Sequence, residues 1–116
     1  MNSEGSSVLV GGAGISKNDV KLIGWVVLGP VLRNTNNGRF VSMILETRET
    51  TKNETVVSNY HRVVAYNKAA EYCNNTISQG DHIFVEGRLQ SNEYHDGMSI
   101  NDLNSDVVVT TARNLQ

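Results

Sequence analysis

The segment Tyr60-His61-Arg62-Val63-Val64-Ala65-Tyr66 holds the side chains best suited to chemistry on a polyanion. Read with the two-residue period of a strand, Tyr60, Arg62, Val64 and Tyr66 share one face, and His61, Val63 and Ala65 the other. Two phenol rings with a guanidinium between them offer flat surfaces to nucleobases of any identity, and a planar cation to an adjacent phosphate. Tyr and Val are also good strand formers, so an ordinary half-buried strand would carry the same pattern. The segment alone leaves both readings open.

Other chemistry finds little support. His61, His82 and His95 lie far apart, and no His-x-x-x-His or Cys-x-x-Cys spacing occurs, so no metal site is expected. There is no nucleophile elbow, and no carboxylate pair stands out among the scattered acids. The run Gly11-Gly12-Ala13-Gly14 has the flavour of a phosphate loop, but Lys17 lacks a Gly-Lys-Ser/Thr context. The expectation is a binder without catalytic residues or cofactor.

The elements that position Tyr60 to Tyr66 follow from alternation. Asp19 to Leu28 reads as a first strand, with Gly24 where a small barrel bends and Gly29-Pro30 as its end. Trp25, the single tryptophan, suits a core or subunit interface better than a base platform. Asn37-Gly38 is a hairpin signal, and Arg39 to Thr47 a second strand. The polar run from Arg48 to Thr55 reads as a long exposed loop whose Arg48 and Lys52 are free to reach phosphate. After the third strand, Ala69, Ala70, Cys73 and Ile77 recur at helical spacing, ending near Gly80. His82 to Gln90 is a fourth strand, and Asp106 to Ala112 the last. Five strands with one short helix after the third make an all-β OB-fold, a five-stranded Greek-key barrel.

A chain of 116 residues allows one such domain. Residues 1–17, rich in Gly and Ser, read as a flexible arm, and 18–116 as the folded unit. One cysteine rules out an internal disulfide and fits a reducing compartment. No apolar run is long enough to span a membrane, and no secretion signal is evident. The formal net charge of −2 is low for a nucleic-acid binder, and puts the burden on where the charges sit.

The run YHRVVAYNKAAEYCNNTISQGDHIFVEGRL resembles the most recognisable block of the bacterial and organellar single-stranded DNA-binding proteins. Tyr60-His61-Arg62-Val63-Val64, Tyr66-Asn67-Lys68, Gln79-Gly80 and Val85-Glu86-Gly87-Arg88-Leu89 match that family's block at its spacing. Val20-Lys21-Leu22-Ile23-Gly24, Pro30, Arg33 and Asn37-Gly38 match its first strand and following turn. The similarity runs from about Asn18 to Leu115, and its members are a standing example of sequence-tolerant base stacking.

The resemblance implies aromatic platforms at Tyr60, Tyr66 and Tyr94, with Arg33, Arg62 and Lys68 at basic positions near the DNA path. It implies single-stranded DNA as partner in replication, recombination and repair, a homotetramer, contact with other replication and repair proteins, and a cytoplasmic, nucleoid-associated or organelle-matrix setting. The chain departs from the pattern in four ways. Tyr replaces Trp at 60 and 94, and no aromatic stands near Lys52. Gln90, Asn92 and Glu93 take the place of a basic cluster, and no acidic tip follows Gln116. A truncated binding core, an organellar-type short form and a specialised paralogue all fit. The alternative is a primosomal restart protein of the PriB type, a dimeric OB protein that chiefly bridges protein partners. The His61-Arg62-Val63-Val64 and Val85-Glu86-Gly87 blocks favour the first reading.

Overall fold

In the computed structural model, which describes residues 14–92 and 104–116, the alternation of apolar side chains resolves into five strands and a helix. These are β1 (Val20–Thr35), β2 (Gly38–Thr50), β3 (Val56–Tyr66), α1 (Asn67–Thr76), β4 (His82–Asn92) and β5 (Asn104–Asn114). The strands close in the order β1-β2-β3-β5-β4, with β4 pairing back onto β1. Neighbours are antiparallel except β3 and β5, which run parallel through Val63↔Val107 and Val64↔Val108. The expected OB architecture is therefore present, with the helix between the third and fourth strands.

Period two decides what lies inside. Val41, Met43 and Leu45 of β2 and Val63 and Ala65 of β3 point inward with Val26, Ile83, Val85, Val107 and Val109. The helix brings Ala70 and Cys73, followed by Ile77, onto one end of this core. A ten-residue helix is too short to persist alone, so that packing holds it. Burial pushes the Cys73 thiol up to about 11, which makes it a core residue rather than a nucleophile. The helix starts two residues before the expected Ala69, directly where β3 ends. Tyr66 is still extended there, and Asn67 makes the turn at φ 53°.

Two expectations need correction. Gly29-Pro30 does not end β1, which continues to Thr35. Register shifts between Val26 and Leu28 and between Leu28 and Val31 absorb the irregularity. At such a bulge the missing N–H of Pro30 costs no ladder bond. Nor is the stretch from Arg48 to Thr55 a loop throughout. Arg48, Glu49 and Thr50 pair with Ser58, Val57 and Val56, leaving a short turn closed by Thr51 and Thr55. Backbone pairing propagates along a hairpin whatever the side chains, so polarity alone was a poor guide to its end.

Close approach explains two glycines. A Cβ at Gly24 would run into the carbonyl oxygen of Glu46, and one at Gly87 into that of Val108. Gly87 also sits at the register shift between β4 and β5. At the start of the domain, the Asn18 amide donates to the Leu89 carbonyl and accepts from its N–H, both at 2.7 Å. Residues 14–17, the described part of the arm, are exposed and outside any element.

Candidate nucleic-acid interface

The antiparallel register of β2 and β3 turns strand parity into a surface. On its outer face Glu46 lies opposite Tyr60, Ile44 opposite Arg62, Ser42 opposite Val64, and Phe40 opposite Tyr66. From β1, Arg33 pairs with Phe40, Leu28 with Ile44, and Trp25 with Glu46. Tyr60 is 63% exposed and Tyr66 41%, about 20 Å apart at the usual rise per strand residue. Phe40 and Tyr66 pack ring on ring at 5.3 Å, and the Arg62 guanidinium lies 5.8 Å over the Phe40 ring. Arg33, Phe40 and Tyr66 thus form one row across three strands. Lys68 follows in the first turn of α1, exposed.

Val64 shares the parity of the two tyrosines and is nevertheless buried. It pairs with Val108 of β5, also buried, so the outer face has a small apolar floor where the parallel strands meet. His61 points the other way, half-buried, with its Nε2 2.9 Å from the Thr47 hydroxyl.

The charges on this face are not free as the sequence implies. Arg62 is ion-paired to Asp106 of β5, which is nearly buried. Arg48 bonds Glu46 at 3.1 Å, and its guanidinium lies 4.5 Å over the Trp25 ring. Arg48 is therefore held, and the expectation that it is free to reach phosphate is corrected. Glu46 also accepts from the Ser58 hydroxyl at 2.7 Å and the Tyr60 hydroxyl at 3.5 Å. Those bonds, Ser58 first and Arg48 next, hold its carboxyl below the usual carboxylate range. Arg33, Lys52 and Lys68 have no carboxylate partner among the described residues. Lys52 sits in the turn at the far end of the hairpin, away from the row at Tyr66. Tyr94 lies outside the described residues.

Trp25 is half-buried and flanked from both neighbouring strands. His82 of β4 stacks on it at 4.7 Å with 17° between the planes, while Arg48 approaches from β2. Sequence reasoning missed this stack, together with Phe40, Glu46 and Asp106. Only the parity of Phe40 and Glu46 with Tyr66 and Tyr60 was available to signal them. Among the described residues no group of His, Cys, Asp and Glu is arranged to hold a metal ion.

The model of the single-strand binding protein family matches residues 17–115. The single-stranded DNA-binding protein 1 of Chlorobaculum tepidum is 33% identical over 84 residues, covering 68% of this chain. The chain spans about half of that relative, 52% of its length. Among solved structures, the complex of Plasmodium falciparum SSB with single-stranded DNA superposes with a TM-score of 0.74 at 20% identity. It covers 89% of this chain and 98% of that one. A small single-stranded DNA-binding protein from Streptomyces coelicolor gives 0.68 at 20% identity, over 87% and 95% of the two chains. At such identity the superpositions speak for the barrel.

Proposed function

Since the chain belongs to the single-strand binding protein family, we propose that it binds single-stranded DNA without sequence preference, along the outer face of β2 and β3. The observation that carries this is the pair of exposed rings, Tyr60 and Tyr66, on one face with Arg62 between them. Bases stack on the rings, which discriminate little because every base has a π-face. Arg33 and Lys68, without carboxylate partners among the described residues, take phosphates near Tyr66, and Lys52 takes one at the hairpin turn. Arg62 joins them only by leaving Asp106, and Arg48 only by leaving Glu46. Tyr94 would add a third platform from the β4–β5 connection.

Residues 18–116 are the binding unit in this reading, with 1–17 as its arm. The cellular role is protection of transient single strands in replication, recombination and repair, by a homotetramer near the nucleoid or in an organelle matrix. Nothing in this mechanism requires a reaction at the site. The family match over nearly the whole barrel supports this reading over a restart protein that bridges partners. No helix among the described residues is long and apolar enough to cross a membrane.

Titration with oligo(dT), oligo(U) and duplex of equal length tests the proposal. Oligo(dT) is expected to bind far more tightly than duplex, and ever more weakly as salt rises. Tyr60→Ala or Tyr66→Ala should each cost about 1–3 kcal/mol of binding, with subunit mass unchanged by light scattering. Equal affinity for duplex and single strand, or normal binding by both variants, would overturn it. A dimer rather than a tetramer in the same light-scattering run would overturn the assembly assigned here.

A further inference from the structure

Between α1 and β5 lies a second concave surface, a groove of about 470 Å³ lined by Lys68, Ala69, Tyr72, Thr110, Thr111 and Arg113 among others. It exists because α1 packs onto the barrel end through Ala70 and Cys73, leaving its Lys68–Tyr72 side facing β5. A bulge in β5 adds to it: Glu86 pairs with Thr111 and Gly87 with Val109, so Thr110 has no partner in the ladder. The size is in the range of ligand sites that hold a nucleotide-sized group.

Its electrostatics contrast with those of the β2–β3 face. There, two arginines are bound by carboxylates. Here, Lys68 and Arg113 have no carboxylate partner among the described residues, and none of the lining residues is acidic. Arg113 rests 5.1 Å over the Phe84 ring. Tyr72 is 47% exposed, a ring with no other ring packed on it among the described residues. In a chain of net charge −2, two unneutralised cations beside an open aromatic ring select an anion that carries a flat apolar group. Lys68, which lines the groove, lies two residues beyond Tyr66, where β3 passes into α1.

We propose that this groove takes the nucleotide of the bound strand that follows the one on Tyr66, its phosphates between Lys68 and Arg113 and its base against Tyr72. The inference rests on the function proposed above and extends the strand's path past the end of β3. Tyr72 and Arg113 are the residues it adds.

A length series of oligo(dT) against wild type, Tyr72→Ala/Arg113→Gln and Tyr60→Ala tests it, with thermal unfolding as the check on folding. The double variant should bind the shortest binding oligomers as wild type does. It should lose about fivefold or more on longer ones, the lower end for one base stack, with a shorter occluded length. Wild-type affinity at every length, with Tyr60→Ala still weakened, would overturn the groove and leave the β2–β3 face standing. An equal loss at every length would overturn its place as an extension. An acidic peptide that binds wild type but not the double variant, without competing with oligo(dT), would assign the groove to a protein instead. Failure of wild type to bind any oligomer would overturn both proposals.

Discussion

Asp106→Asn is expected to strengthen single-strand binding, because it releases a cation that the fold holds in reserve. Arg62 sits between the two exposed tyrosines, yet its guanidinium is bound to Asp106, whose side chain is 10% exposed against 42% for Arg62. A phosphate must therefore displace a carboxylate before Arg62 counts as a contact. Removing the carboxylate charge makes one more monovalent cation available, and each phosphate neutralised on a single strand adds about 0.7 to the salt slope. Between about 50 and 200 mM salt, that slope amounts to about a 2.6-fold change in relative affinity. The variant should thus lead wild type by about 2.6-fold more at the lower salt than at the higher. The assay is anisotropy of a labelled oligo(dT) over a salt series. Asp19→Asn, an exposed position with the same charge change, is the control for net charge. A log K against log salt slope identical to that of wild type, or a rise that Asp19→Asn reproduces, would refute the reasoning.

Three further outcomes follow from the same geometry. Gly24→Ala should destabilise the barrel by about 1–3 kcal/mol or more in urea unfolding, because the new Cβ meets a backbone carbonyl that has nowhere to move. Glu46 is held below the usual carboxylate range in the folded state, so its contribution is complete above the unfolded value of about 4.3. That contribution is lost as pH falls through the lower folded value, and Glu46→Gln should flatten this part of the stability–pH profile. Trp25, flanked by His82 and Arg48, should change its fluorescence little when oligo(dT) binds, whereas strong quenching would place a base against it.

Local pattern carried much of this protein. The period of two through Tyr60–Tyr66 placed Tyr60, Arg62 and Tyr66 together, since side-chain parity is a property of the strand itself. Helical spacing of Ala70, Cys73 and Ile77 named the residues that close the barrel end. The same local rules erred where pairing overrode them, at Pro30 inside a bulged β1 and at Arg48–Thr50 inside a continuing hairpin. They were silent on charge partners. Arg62 and Asp106 are 44 residues apart and meet because β5 runs parallel beside β3. Lys68 and Arg113 share a groove because α1 packs beside β5. In a chain of formal charge −2, the cations that its own carboxylates leave unpaired are the ones a polyanion meets without displacing a partner. Which cations are left is settled by strand order and register, because ionic contacts reach only a few ångströms and the sequence separations here are many residues.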